Sequence, residues 1–254
     1  MNNKRASLTS TTPPHTPPQP SYRLSNRFSP LQDEEEFPAL PEPRDSQNSP
    51  VTSPPVRRPQ RTRQAKVKTI SHQGTTKSWW RAPVSRSRIL ILGDSNIKGF
   101  KELKADSSVG PVESHSYPGA RLRHFTDSIW KDSKPQPGPK HVILSVGINN
   151  RGNNASTHRD QLKRVINLAE KTYPNAHIYI PQINYTSELK PEVRASLDSL
   201  NSLIMELTGA KKMLHTIPKL SSNLFNIRPN DTQKVHWTYS TAESMLAHWL
   251  QSLN

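Results

Sequence analysis

The sequence predicts an α/β domain, a parallel sheet with helices on both faces, behind a disordered N-terminal tail. Three observations carry this reading. From about residue 87, short branched apolar runs alternate with amphipathic stretches of helical length, the pattern of strands joined by helical crossovers. Fourteen of the 24 prolines precede Arg86, and each removes a backbone donor. Apolar residues make up only 31% of the 254, too few for the whole chain to build a core. Residues 1–85 are therefore assigned to the tail and residues 86–254 to the folded domain.

Within the tail, "TTPPHTPPQP" and "SPVTSPPVRRP" offer no periodic apolar face. Residues 26–43, "NRFSPLQDEEEFPALPEP", set Phe28, Leu31, Phe37 and Leu40 among acids and prolines. They read as solvated linker or as a short linear motif for a partner protein. Residues 57–68, "RRPQRTRQAKVK", hold Arg57, Arg58, Arg61, Arg63, Lys66 and Lys68 and no acid. An extended basic segment follows the phosphates of RNA or single-stranded DNA without reading sequence. A nuclear-import signal and a plain charged linker are the alternatives. Trp79 and Trp80 come next and are expected to pack on the domain edge rather than stack on bases.

In the domain, "RILIL" (88–92), "KHVILSVG" (140–147) and "AHIYIPQI" (176–183) read as buried strands. "VESHSY" (112–117) and "KKMLHTIPK" (211–219) are weaker candidates. Leu162, Val165, Ile166 and Ala169 stripe a helix over 156–173, and Val193, Leu197, Leu200, Ile204 and Leu207 another over 190–209, with Gly209 as its stop. The last helix sets Ala242, Met245, Trp249 and Leu253 on one face.

The net charge is +15 and both halves are basic, which suits a polyanionic partner or solubility alone. With no cysteine, disulfides and thiolate metal sites are excluded. No apolar run approaches the roughly 20 residues of a membrane span. The N-terminus lacks the apolar core of a secretory signal, so a cytoplasmic or nuclear location is expected. No histidine pair beside carboxylates has a ligand pattern, and no metal or other cofactor is expected.

In parallel α/β sheets, ligands sit outside the carboxyl ends of the strands. There the sequence places Gly93-Asp94-Ser95 and Gly147-Ile148-Asn149. Ser95 reads as an exposed nucleophile, with the N–H groups of a following helix aimed at developing charge. Asp and Ser are also common helix caps. Gly119, in "SYPGARLRHF", offers an unobstructed backbone N–H or simply makes a proline–glycine turn. Asn149 is an oxyanion donor or a turn residue. His236, in "NDTQKVHWT", is the candidate base, with Asp231 near it to hold the imidazole tautomer. Most other histidines, such as His158 and His177, are expected at the surface.

This ordered set, over about residues 87–254, resembles the SGNH, or GDSL-like, hydrolase superfamily. The resemblance implies a three-layer α/β/α sandwich with a flavodoxin-like five-stranded parallel sheet and ester hydrolysis. It makes Ser95 the nucleophile and His236 the base, and the Ser95 backbone, Gly119 and Asn149 the oxyanion hole. One position departs: the family pattern is Asp-x-x-His, and the residue three before His236 is Gln233. Asp231 lies five before it and reaches the imidazole only across a two-residue bulge. The tail and the blocks "ILILGDSNIKGF", "VILSVGINNR" and "VHWT" also look like the esterase-type domains of first-open-reading-frame proteins of vertebrate and fish non-LTR retrotransposons. That likeness implies acyl or acetyl ester hydrolysis in a mobile-element protein. Its rival is a degenerate domain used for interaction and assembly, with a nucleic-acid-binding tail.

Overall fold

The computed structural model describes residues 63–74, 77–152, 155–209 and 211–253. The apolar motif at 26–43 and Arg57, Arg58 and Arg61 lie outside them. Two strands open the described chain, β1 (Gln64–Lys66) and β2 (Lys68–Ser71). They are followed by β3 (Ile89–Gly93), β4 (Lys104–Asp106) and β5 (Val112–Ser116). The last three are β6 (His141–Ser145), β7 (His177–Pro181) and β8 (Leu214–Ile217).

All five expected strands are present and parallel, in the order β5-β3-β6-β7-β8. This is the flavodoxin-like order, whose switch point lies between β3 and β6. A sixth parallel strand, β2, joins the β5 edge, while β1 pairs antiparallel with β4 in a small separate ladder. Residues 64–71, which composition placed in the tail, are therefore part of the folded sheet structure. Their charges mask a strand. Val67 is buried, Lys66 pairs with Glu102 at 2.6 Å, and Lys68 reaches the buried Glu113 at 3.0 Å.

Alternate residues of the central strands feed two cores. Leu90, Leu92, Val142, Leu144, Ile178 and Ile180 face one side. Here pack α1 (Leu122–His124, continuing as a π turn over Phe125–Ile129), α2 (Ala155–Thr172) and α3 (Pro191–Thr208). Ile89, Ile91, Ile143 and Tyr179 face the other side. They meet a 3-10 helix (Ser95–Phe100) and α4 (Tyr239–Gln251), through Ile97, Phe100, Met245 and Trp249. Burial on both faces explains the unbroken apolar runs. Trp80 is buried, as expected, against Tyr117 and His124, whereas Trp79 is exposed. Among the described residues no helix is long and apolar enough to cross a membrane.

Candidate active site

The switch point positions the first groups. Gly93 pairs in register with Ser145 of β6. A Cβ on Gly93 would lie 2.6 Å from Ile97 Cγ1 and 2.7 Å from the Ser145 carbonyl, so the close approach of β3 to its neighbours demands glycine. Asp94 caps the 3-10 helix, its carboxylate accepting the Asn96 N–H at 2.8 Å. Burial pushes this carboxyl up to about 6, against the Asn96 hydrogen bond and the fields of His236 and Arg151. The helix after β3 is a six-residue 3-10 helix, and its Asn96 N–H is already engaged. The helix-terminus donors expected there thus reduce to the N–H of Ser95 itself.

The loop before α4 carries His236, the candidate base. His236 Nδ1 lies 3.0 Å from Asp231 Oδ1. The same carboxylate accepts N–H groups from Gln233 at 3.1 Å, Val235 at 2.6 Å and His236 at 2.7 Å. Burial raises the Asp231 carboxyl, but these four hydrogen bonds outweigh it and hold the group well below the usual carboxylate range. An ionised Asp231 keeps the imidazole proton on Nδ1 and the lone pair on Nε2. The two extra residues between acid and base are absorbed by a tight turn. Lys234 N–H meets the Asp231 carbonyl at 3.1 Å, and Lys234 adopts a left-handed φ of 56°. Gln233 points elsewhere, accepting from the Arg151 guanidinium at 3.3 Å.

Ser95 and His236 line one cleft of about 570 Å³, with His72, Trp80, Pro118 and Arg228. Gly119 and Asn149 line an adjoining recess. Gly119 has φ +71°, which suits glycine, and Gly147 sets up the Asn149 turn at φ +110°. Asn149 Nδ2 donates to the Ala120 carbonyl at 3.0 Å, tying its amide to the Gly119 turn. Asn150, fully buried, backs this arrangement. Its Oδ1 accepts the Leu122 N–H at 3.0 Å, and its carbonyl meets His158 Nε2 at 3.0 Å. His158, expected at the surface, is 1% exposed and acts as this buttress. His177 is half-buried, 2.9 Å from His215.

Two features escaped the sequence reading. Asn96 binds both sides of His236: its Nδ2 donates to the Val235 carbonyl at 3.1 Å and its Oδ1 accepts the Trp237 N–H at 3.1 Å. Its position next to Ser95 was the available signal. The second is a buried chain ending in the cleft. His72 Nε2 lies 2.8 Å from His115 Nδ1, and His115 Nε2 lies 2.9 Å from Glu113. Ser85 and Lys68 also bind Glu113. Burial raises the Glu113 carboxyl, but hydrogen bonds from His115, Ser85 and Lys68 bring it down to about 2. The ionised Glu113 therefore orients both rings, and His72 reaches the cleft from the segment assigned to the tail.

No family model matches the chain, and no curated protein matches it. Among solved structures, it is similar to a member of the lipolytic protein G-D-S-L family from Veillonella parvula. That pair is 16% identical with a TM-score of 0.48, covering 65% of this chain and 97% of the other. A lipase/acylhydrolase from Enterococcus faecalis is 15% identical with a TM-score of 0.46, covering 65% and 95%. The C-terminal catalytic domain of a Streptococcus pneumoniae peptidoglycan O-acetyltransferase is 12% identical with a TM-score of 0.44, covering 67% and 94%.

Proposed function

We propose that the chain is an SGNH-type serine esterase, hydrolysing acyl or acetyl esters, from a mobile-element-derived protein. The observation that carries this reading is the 3.0 Å contact of Asp231 with His236 Nδ1, in a loop whose histidine shares a cleft with Ser95. A held carboxylate, an imidazole with Nε2 as acceptor and a hydroxyl at the end of a switch-point strand are the parts of nucleophilic acyl transfer.

In this mechanism Ser95 Oγ attacks the ester carbonyl while His236 Nε2 takes its proton. The tetrahedral oxyanion is stabilised by the Ser95 N–H, the Gly119 N–H and the second amide hydrogen of Asn149. Collapse breaks the ester C–O bond, and the alcohol leaves with the proton from His236. Water then adds to the acyl-serine with His236 as base, and the acid leaves as Ser95 regains its proton. The test is Ser95→Ala against wild type on p-nitrophenyl acetate. The variant should fall to the uncatalysed rate with an unchanged circular dichroism spectrum. Equal rates would remove Ser95 from the mechanism.

The degenerate-module alternative rests on Gln233 at the family's acid position and on the basic tail; the 3.0 Å contact of Asp231 with His236 speaks against the first ground. Nucleic-acid binding by the basic segment is a separate proposal. Lys66 and Lys68 pair with Glu102 and Glu113 but stay largely exposed, so they remain available for the contact beside Arg57, Arg58, Arg61 and Arg63. Deleting residues 57–63 should weaken RNA or single-stranded DNA binding and flatten its salt dependence. Unchanged binding would exclude the segment.

A further inference from the structure

Lys77, Arg121, Arg123 and Arg151 line a single recess of about 580 Å³ whose wall includes Gly119 and Asn149. They come from three separate stretches of chain, and no carboxylate lines the recess with them. None of the four recess cations forms an ion pair among the described residues. Lys77 Nζ donates to the Gly119 carbonyl at 3.2 Å. Arg151 donates to the Ile148 carbonyl at 3.1 Å and to Gln233. All are neutral oxygens.

The electrostatic consequence shows at His124, which also lines the recess. Burial, then the charges of Lys77, Arg123 and Arg121, bring it down to about 4, against the opposing charge of Asp127. The ring is thus neutral, and its Nδ1 accepts the Arg121 N–H at 2.9 Å, so Nε2 carries the proton as a further donor. Four like charges around a concavity, without an internal counter-charge, repel one another and favour an anion from outside. Guanidinium forks match the oxygens of a carboxylate or phosphate. The recess also abuts the reaction centre. Pro118 lines the cleft of Ser95 and the next residue, Gly119, lines the recess.

We propose that this recess is a subsite for a compact oxyanion, a carboxylate or phosphate, carried by the ester that Ser95 attacks. The inference rests on the esterase reading and narrows its substrate class to esters bearing an anionic substituent close to the scissile bond. The arginines bind that substituent, and the shared Gly119–Asn149 wall brings the carbonyl to the oxyanion donors.

The test compares p-nitrophenyl valerate with mono-p-nitrophenyl glutarate, equal in chain length and differing in a terminal methyl or carboxylate. At low ionic strength wild type should favour the glutarate in kcat/KM by about tenfold, the size of one or two charge-assisted hydrogen bonds. Arg121→Gln/Arg123→Gln should bring the ratio close to one, Arg121→Lys/Arg123→Lys should keep part of it, and high salt should compress it in wild type. Hydrolysis of the valerate that Ser95→Ala abolishes, with no preference for the glutarate, would overturn the subsite and leave the esterase standing. If neither ester turns over, the esterase reading fails, and inorganic phosphate decides the site. A rise in wild-type Tm with phosphate that the Gln variant loses would support it, and no rise would overturn it.

Discussion

Asp231→Asn tests the core of the mechanism. The carboxylate accepts four hydrogen bonds, from the N–H groups of Gln233, Val235 and His236 and from the imidazole. Asparagine offers one oxygen. Placed where Oδ2 stands, it keeps the Val235 and His236 bonds and turns an NH2 toward the Gln233 N–H and His236 Nδ1. The imidazole must then move its proton to Nε2, which removes the base that the mechanism assigns to Ser95. The same substitution in the trypsin triad lowers kcat by about 10⁴, or about 5 kcal/mol at 1.36 kcal/mol per decade. A like loss is expected here. The stranded N–H belongs to exposed Gln233, where water replaces the lost acceptor, so the stability loss should be about 1 kcal/mol or less. Steady-state hydrolysis of p-nitrophenyl acetate gives the first quantity and urea unfolding the second. A folded variant whose kcat stays within about tenfold of wild type would refute the assigned role. Asp231→Asn/Gln233→Asp should stay as slow, because the Gln233 side chain faces Arg151. The carboxyl is held low in the fold, so its stabilisation is full above the unfolded value of about 4 and fades as pH falls through the folded one.

Asn96→Ala should lose roughly 2–4 kcal/mol, since it strands the Val235 carbonyl and Trp237 N–H in the interior. It should also lower kcat more than it raises KM. An unchanged kcat would mean that the clamp does not position His236. Gly147→Ala should cost about 2–4 kcal/mol by urea unfolding, from positive φ and a Cβ 2.6 Å from Ile183 Cδ1. A loss below about 1 kcal/mol would show that the turn relaxes freely. Asp94→Asn keeps an acceptor for the Asn96 N–H and removes a buried charge. Asp94 is raised to about 6, so wild type loses stability as pH rises from about 4 through 6. The variant should gain on wild type over that window, by about 3 kcal/mol or less at pH 8. No pH-dependent difference would refute the raised value.

Much of this architecture was legible because strands buried on both faces leave unbroken runs such as "ILIL", and helices leave 3.6-residue stripes such as Leu197, Leu200 and Ile204. Ser95, Gly119, Asn149 and His236 stand out as candidates in the sequence because each follows a strand or precedes a helix. Asp231 was less visible, because contact across a turn depends on the conformation of Lys234 rather than on spacing. β1 and β2 were hidden because their lysines read as a solvated basic run until Glu102 and Glu113 are brought to them. The basic recess was hidden for another reason: its cations come from residues 77, 121–123 and 151, and only the fold assembles them.

The sixth strand bears on how this domain can be cut from its chain. β5 sits between β2 and β3, so every backbone group facing β2 from Glu113 to Ser116 is spoken for. Trimming at residue 86, where composition alone draws the boundary, would strip that cover. A fully buried strand would then meet solvent along one edge as an open template, ready to zip onto another molecule. The same cut would remove His72 from the mouth of the cleft. A chain started near residue 63 keeps the rim sealed, and a short four-residue strand bearing Lys68 is a poor template for further growth.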